Sequence, residues 1–288
     1  MDAAERLAGR LPEDVAIAAG PAPEDAVEMR LRAGQRLVWT RMGGGSVERG
    51  ERLTREALER CVDALAEHSL YAMEDQLARG YFTLKGGCRA GVCGRYVTGP
   101  GGGVCAREIG SVCVRIAREV KGAADGIMKW ARKGKSFLIL SAPGMGKTTM
   151  LRDAARQMSL MGERVAVADE RGEIAACEMG VPALDVGPNT DVMDGCGKET
   201  AIPMLIRCMG ARWVATDELG GEGDAAAVWE AARCGARVAA TAHAGSLDEA
   251  LGRRGVGELI RGGAFDVVFL LKGPGREAEA VYERETGG

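Results

Sequence analysis

The chain has 288 residues, with 38 Lys and Arg against 41 Asp and Glu, and a formal net charge of −3 at pH 7. Hydrophobic residues make up 46% of it and charged residues 27%, which is ordinary for a globular protein and leaves room for two domains. The slight negative charge and the short apolar runs exclude a strongly basic nucleic-acid-binding protein and an integral membrane protein, so we expect no nucleic-acid partner.

The nine cysteines are scattered singly, without a CxxC pair. This pattern favours reduced, buried thiols over a zinc site or a disulfide framework. The first ten residues are charged and lack the apolar core of a signal peptide. We therefore expect a cytoplasmic protein.

Residues 1–121 predict a small α+β domain. Short strands are expected over 28–32 and 36–40, and a helix is expected to begin after Thr54, a typical N-cap residue. Apolar residues recur after it at helical spacing and give that helix a core-facing stripe: Leu58, Cys61, Val62 and Leu65. The other predicted elements are a helix over 69–78, a hairpin around 92–97 that turns at 99–101, and a strand over 112–116.

Residues 122–134 are predicted to be a linker, and residues 135–288 a P-loop ATPase domain. In this part short apolar strands alternate with helices, which is typical of a mostly parallel sheet with helices on both faces, the RecA-like α/β class. Strands are predicted over 137–140, 164–168, 213–216, 238–241, 265–271 and 280–282, and helices after the P-loop and over 201–209 and 225–234. In such sheets ligands bind at the carboxyl ends of the strands.

The stretch SFLILSAPGMGKTT over 136–149 predicts a phosphate-binding loop between a strand and a helix. Its glycines let backbone N–H groups close around phosphate oxygens, and the helix N-terminus adds partial positive charge. Lys147 is expected to reach the β- and γ-phosphates of ATP, and Thr148 to hold Mg²⁺. The motif departs once from its pattern, because Ser141 stands where a glycine is usual. The predicted nucleotide-binding residues are Ser141, Ala142, Pro143, Gly144, Met145, Gly146, Lys147, Thr148 and Thr149.

Asp217 and Glu218 follow the apolar strand over 213–216 and predict a Walker B segment, although Thr216 interrupts its apolar run. Asp217 is expected to hold Mg²⁺ opposite Thr148, and Glu218 to polarise the attacking water. Two exposed acids at a strand end are the alternative. The P-loop about 70 residues upstream makes the hydrolytic interpretation the more specific one.

A second acidic group, Asp169-Glu170-Arg171 with Glu173, follows the strand over 164–168. Glu170 competes with Glu218 for the role of catalytic base, and the sequence does not decide between them. His243 ends the strand over 238–241, where a γ-phosphate sensor is expected in place of a core histidine.

Phosphoryl transfer also needs positive charge to stabilise the transition state. The ATPase half offers arginines for this role, from the same or a neighbouring subunit: Arg207, Arg212 and Arg233. The N-terminal half offers three more: Arg107, Arg115 and Arg118.

With these motifs in view, the chain resembles the stage III sporulation protein AA family of endospore-forming bacteria. The stretches that carry the resemblance are DERGEIA (169–175), GVP (180–182), GP (187–188), DVMD (191–194), IR (206–207), DELG (217–220) and TAH (241–243), with EHSLYA (67–72), RGY (79–81) and RIARE (115–119) in the first half. That family is similar to the ATPases of type II and type IV secretion systems.

The resemblance implies a ring of six identical chains, a homo-hexamer, with nucleotide at the subunit interfaces and the N-terminal domain closing over it. It implies that His243 belongs to the family's histidine box and residues 169–173 to its acidic box. It also implies a cytoplasmic position, peripheral to the membrane on the mother-cell side, and partners among membrane-embedded sporulation channel proteins. The expected task is to energise a secretion-like channel between mother cell and forespore.

Three other functions remain open at this point. A P-loop motor acting on nucleic acid is disfavoured by the charge balance. An ATP-binding scaffold with little turnover is disfavoured by the intact Lys147, Thr148, Asp217 and Glu218. A small-molecule kinase would need an acceptor pocket that the sequence does not show.

Overall fold

The structure, a computed structural model, describes residues 3–67, 77–78, 80–84, 88–98, 104–116, 119–273 and 278–284. The chain divides into two compact units, Met1–Arg118 and Glu119–Gly288. The helix predicted over 69–78 lies outside the described residues except at 77–78, and so do the turn at 99–101 and Arg118.

The first unit is built on a six-stranded antiparallel sheet in the order β3-β2-β1-β6-β5-β4. Its strands are β1 (Ala26–Arg32), β2 (Leu37–Arg41), β3 (Ser46–Arg49), β4 (Tyr81–Thr83), β5 (Arg89–Thr98) and β6 (Val104–Arg115). Three of its described helices are α1 (Ala3–Ala8), α2 (Glu13–Ala19) and α3 (Arg55–Leu65).

Alternation along the strands places one face of this sheet against the helices. In β1, Met29 and Leu31 are fully buried while Arg30 and Arg32 lie on the other, half-exposed face. The start of α3 confirms the predicted cap, since the hydroxyl of Thr54 accepts a hydrogen bond of 3.1 Å from the backbone N–H of Ala57. The predicted stripe of α3 is buried as well: Leu58, Cys61, Val62 and Leu65.

The second unit is built on a seven-stranded sheet in the order β13-β12-β7-β11-β10-β8-β9. Its strands are β7 (Phe137–Ser141), β8 (Val165–Asp169), β9 (Thr190–Asp194), β10 (Trp213–Thr216), β11 (Arg237–His243), β12 (Val267–Leu271) and β13 (Ala278–Glu283). Its helices are α4 (Met128–Arg132), α5 (Lys147–Leu160), α6 (Lys198–Met209), α7 (Glu222–Arg233), α8 (Leu247–Gly252) and α9 (Val256–Gly262). All strand pairs are parallel except β12 with the edge strand β13.

Both faces of this sheet are covered by helices, as the alternating apolar runs predict. Phe137 and Ile139 of β7 belong to a core shared with α4 and α5. Leu138 and Leu140, which point the other way, belong to a core shared with α6, α7 and α9. The predicted α/β class, a mostly parallel sheet preceded by a smaller α+β unit, is confirmed.

Residues 122–134, predicted as a linker, form part of the core of the second unit. They contain α4, and Ile127 and Met128 are fully buried. The carboxylate of Asp153, on α5, accepts a hydrogen bond of 2.9 Å from the backbone N–H of Ala124. The helix in this segment is only five residues long, so it contains too few apolar positions for helical periodicity to predict it.

Four strands bring the predicted site residues to one edge of the sheet. Strands β7, β11, β10 and β8 are adjacent and parallel, so their carboxyl ends meet there. Among the described residues no helix is long and apolar enough to cross a membrane.

Candidate functional site

The P-loop connects β7 to α5, as predicted. Gly144 and Gly146 adopt φ angles of +76° and +93°, a region that only glycine enters without strain. Ser141 ends β7 in extended backbone outside that region, with its register partner His243 on β11. A glycine is therefore not needed at this position, which explains why serine is tolerated.

Lys147 begins α5 with its side chain folded back onto the loop. Its Nζ lies 3.2 Å from both the carbonyl oxygen and the Oγ of Ser141, and 3.1 Å from the carbonyl oxygen of Ala142. The side chain is only 5% exposed, and burial lowers the pKa of the ammonium group although nearby carboxylates oppose the shift.

His243 connects this lysine to Glu218. Its Nδ1 lies 3.1 Å from Lys147 Nζ, and its Nε2 lies 3.1 Å from Glu218 Oε1. The strand order explains the arrangement, because β11 lies between β7, which leads into the P-loop, and β10, which precedes Glu218.

The partners of His243 assign its tautomer. A lysine ammonium only donates hydrogen bonds and a carboxylate only accepts them. Nδ1 of His243 is therefore the acceptor from Lys147, and Nε2 carries the proton that is donated to Glu218. The three side chains form one directed series of hydrogen bonds at the strand ends.

Glu218 is held in an unusual backbone conformation. Its φ angle is +48°, in the left-handed region that costs a non-glycine residue about 1–3 kcal/mol. Its backbone N–H donates to Thr241 Oγ1 over 2.9 Å, and the N–H of Leu219 donates to the carbonyl oxygen of Thr241 over 2.8 Å. These contacts fix the direction of the Glu218 side chain.

The carboxylate of Glu218 is kept ionised by its neighbours. Burial alone would raise its pKa, but the hydrogen bond from His243 and the positive charges of Arg171 and Lys147 outweigh that effect and lower the pKa below its ordinary value. Arg171 pairs directly with the second carboxylate oxygen. The sequence analysis did not assign this role to Arg171.

Asp217 tests whether the site fits a magnesium ion. It is fully buried, and neither carboxylate oxygen has a hydrogen-bond partner among the described residues. Burial, together with the negative charges of Asp169 and Glu173, raises its pKa to about 7. A buried carboxylate without a hydrogen-bond partner, beside a P-loop, fits the role of a ligand to a divalent cation.

The rest of the donor set agrees with magnesium. Thr148 is the second residue of α5, directly after the P-loop lysine. Mg²⁺ is commonly held by one or two side chains together with substrate phosphates and waters. Among the described residues no group of three His, Cys, Asp or Glu side chains forms a complete metal cage.

Asp169 has a structural task within the acidic segment. Its Oδ1 accepts from the backbone N–H of Glu173 over 2.9 Å, and its Oδ2 accepts from those of Ile174 and Ala175 over 3.0 and 2.8 Å. Arg152, buried in α5, donates to the carbonyl oxygen of Glu173 over 2.6 Å. The loop that follows β8 is thus fixed from both sides.

Glu170, the alternative catalytic base, is paired with a lysine. Its Oε2 lies 2.7 Å from Nζ of Lys198, the first residue of α6, whose side chain is only 5% exposed. Sequence reasoning missed Lys198 because 28 residues separate it from Glu170 and no motif contains it. Its position directly after Gly197, at a helix start, is the local signal.

The arginines proposed for the ATPase half lie away from this site. Arg207 and Arg233 are in the last turns of α6 and α7, and Arg212 precedes β10. In a parallel sheet these positions lie at the opposite, amino-terminal edge of the strands. Arg207 is exposed, and its Nε donates to the carbonyl oxygen of Pro203 over 3.1 Å. Within one chain Arg207 therefore lies away from the P-loop, and its role in phosphoryl transfer, from the same or a neighbouring subunit, stays a prediction.

Other arginines take up the positions near the strand ends. Besides Arg171, Arg253 donates from Nη1 to the carbonyl oxygen of His243. The two described arginines proposed from the first unit, Arg107 and Arg115, are exposed on β6.

The fold of this chain is that of the secretion ATPases, as the likeness to solved structures shows. The solved structure of the Legionella pneumophila ATPase DotB matches with a TM-score of 0.57 at 16% identity, covering 85% of this chain and 72% of that one. The pilus retraction motor PilT with bound ADP matches with a TM-score of 0.53 at 13% identity, covering 85% and 74%. These likenesses establish the fold.

The family model "Sporulation stage III, protein AA" matches residues 7–287 of this chain. Stage III sporulation protein AA of Bacillus subtilis (strain 168) is 33% identical over 293 residues, covering 97% of this chain and 95% of that protein. The chain belongs to the stage III sporulation protein AA family, as its motifs predict.

Proposed function

We propose that this chain is a magnesium-dependent ATPase that powers or assembles a channel between mother cell and forespore during sporulation. The observation that carries the enzymatic part is the series of hydrogen bonds from Lys147 through His243 to Glu218. It links the residue expected to contact phosphate with the residue expected to direct water. Family membership supports the sporulation part.

The phosphates of ATP would lie in the loop from Ser141 to Thr149, against its backbone N–H groups and the start of α5. Lys147 would leave its loop acceptors and bind the β- and γ-phosphates. Its departure would free Nδ1 of His243, which places that ring to sense the γ-phosphate. Thr148 and Asp217 would hold magnesium, which supplies neutralising charge on the phosphate oxygens.

Glu218 is the better candidate to direct the attacking water. Its carboxylate is ionised, partly exposed and oriented by both His243 and Thr241. A lowered pKa suits an acceptor that orients water more than one that removes its proton before attack. Glu170 already forms an ion pair with Lys198, so we do not assign it the role of catalytic base.

The positive charge for the transition state would come from a neighbouring chain in a homo-hexamer. The placement of Arg207, Arg212 and Arg233 supports this, because they lie at the far edge of the sheet from the P-loop of their own chain. Arg171 and Arg253, which lie near the strand ends, already contact Glu218 and the carbonyl oxygen of His243. The fold likeness to DotB and PilT agrees with a secretion-type motor. We place the ring in the cytoplasm, peripheral to the mother-cell side of the membrane, against membrane-embedded sporulation channel proteins.

The test is phosphate release from ATP and Mg²⁺ by the wild type and by Lys147→Ala. Lys135→Ala is a matched control, since Lys135 is also a paired, mostly buried lysine but precedes β7 at the opposite edge of the sheet. We expect release by the wild type and the control and its loss in Lys147→Ala. Equal rates in all three would leave an ATP-binding scaffold. A rate that depends steeply on added DNA would favour a nucleic-acid motor.

Assembly is tested separately by negative-stain imaging with a non-hydrolysable ATP analogue. We expect six-membered rings. A protein that stays monomeric under these conditions would contradict the ring without touching the assignment of the hydrolytic residues.

A further inference from the structure

Lys198 is a buried cation in an electrostatically costly position. It is the first residue of α6, where the helix dipole disfavours positive charge, and it is only 4% exposed. The N-cap residue Gly197 offers no side-chain hydrogen bond to compensate. A positive charge that is both buried and placed at a helix N-terminus needs negatively charged partners to be stable.

Its partners are Glu170 and, through space, Asp217. The Nζ of Lys198 lies 2.7 Å from Glu170 Oε2. Among the groups that act most strongly on Asp217, Lys198 is the one that stabilises the charged carboxylate, while Asp169, Glu173 and Glu218 oppose it. Strands β8 and β10 pair in parallel with Ala168 opposite Thr216, so Glu170, which binds Lys198, and the orphaned carboxylate of Asp217 follow adjacent strand ends.

We propose that Lys198 is a positioning residue of the metal site, a fixed cation that keeps free divalent metal out of Asp217 until nucleotide phosphates bring it in. The proposal rests on Asp217 being the metal ligand of the proposed function. A bare Mg²⁺ ion entering beside Lys198 and Lys147 meets two ammonium groups, and like charges repel strongly where water is scarce. The phosphates of a bound nucleotide reverse that balance.

Binding of the metal only together with the nucleotide would keep Asp217 free of other divalent cations. Asp169, Glu173 and Glu218 add negative charge around Asp217, and this acidic surrounding would otherwise attract divalent cations alone. Lys198 neutralises part of that charge and fixes Glu170 in an ion pair. The Asp217 oxygens then stay available for the metal that accompanies ATP.

The experiment measures Mn²⁺ binding to the nucleotide-free full-length chain by the loss of the free Mn²⁺ signal in electron paramagnetic resonance. We expect weak binding by the wild type and binding at least about tenfold tighter by Lys198→Met, a change of about 1.4 kcal/mol. Lys135→Met is the matched control, because it removes a lysine from an ion pair of 2.8 Å at the opposite edge of the sheet. It should bind Mn²⁺ like the wild type.

Adding Asp217→Asn to Lys198→Met should abolish the gain. Equal Mn²⁺ affinity of the wild type and Lys198→Met overturns the proposal, and so would tight binding by the wild type without nucleotide. A gain that survives Asp217→Asn would overturn Asp217 as the metal ligand. The Mn²⁺ measurement does not depend on ATP hydrolysis. Failure of the proposal for Lys198 is therefore distinguishable from failure of the ATPase assignment.

Thermal unfolding separates the electrostatic role from a structural one. If Lys198→Met does not fold, Lys198→Gln keeps a polar side chain at the helix start and removes only the charge. The wild-type measurement, with and without a non-hydrolysable ATP analogue, needs no variant. It should show Mn²⁺ retained strongly only when the analogue is present, and equal retention in both cases would overturn the proposal.

Discussion

Lys147 Nζ lies 3.1 Å from Nδ1 of His243, so the P-loop lysine donates a hydrogen bond to the ring that binds Glu218. The same ammonium group has acceptors at Ser141 and Ala142. In the proposed function a nucleotide would break these contacts to bring Lys147 onto its phosphates. The side chain proposed to direct water and the side chain proposed to bind phosphate are therefore coupled through one imidazole.

Replacing His243 by Ala should uncouple binding from hydrolysis. Glu218 would lose the donor that orients it, and we expect kcat to fall by about 100-fold or more. ADP affinity should not fall, because His243 lies outside the P-loop and its loss removes one acceptor that competes with phosphate for Lys147. Steady-state phosphate release and calorimetric ADP binding measure the two effects.

His243→Gln is the informative companion, since an amide offers both an acceptor and a donor. It should keep more activity than His243→Ala. Full wild-type turnover in His243→Ala would exclude a role for His243 in hydrolysis.

Ser141 should slow nucleotide capture, because its carbonyl oxygen and its hydroxyl both accept from Lys147 before ATP arrives. In Ser141→Gly and Ser141→Ala the hydroxyl contact is lost, and the dissociation constant for a non-hydrolysable ATP analogue should fall by about three- to tenfold. The two variants should behave alike, since the extended backbone at this position needs no glycine. Weaker binding in both would instead make the hydroxyl a ligand of the nucleotide.

Asp169 should matter for stability. Asp169→Asn replaces an acceptor of backbone N–H bonds by an amide that brings its own N–H donors into a fully buried loop, and we expect a loss of about 2–4 kcal/mol in the free energy of unfolding. Urea denaturation measures it. The exposed Asp191 of β9 provides the control, where Asp→Asn should change stability by less than about 0.5 kcal/mol. Similar small changes at both positions would refute the structural assignment of Asp169.

Local sequence signals predicted most of the second unit. The strand over 213–216 has the predicted bounds, and the helix predicted after the P-loop is α5, which buries Leu151 and Ala155. Such elements depend on neighbours within one turn or one strand, where apolar periodicity is direct evidence. The half-exposed edge strand β9 was not predicted, because its acids hide the pattern.

Contacts across long stretches of chain were the part that sequence could not supply. Arg171 reaches Glu218 across 47 residues, and Lys198 reaches Glu170 across 28. The first contact depends on β8 lying beside β10, and the second on β9, which precedes α6, lying on the other side of β8. The same order places Arg207 at the opposite edge of the sheet from Asp217, although the two residues are close in the sequence.

The most direct measurement is phosphate release by Glu218→Gln alongside nucleotide binding by the same variant. Glutamine keeps the size of the side chain and can still accept from His243, but it removes the charge that Arg171 and His243 hold in place. We expect release to fall by at least about 100-fold while affinity for a non-hydrolysable ATP analogue stays within about threefold of the wild type. Wild-type release by Glu218→Gln, with Lys147→Ala inactive, would show that another group directs the water.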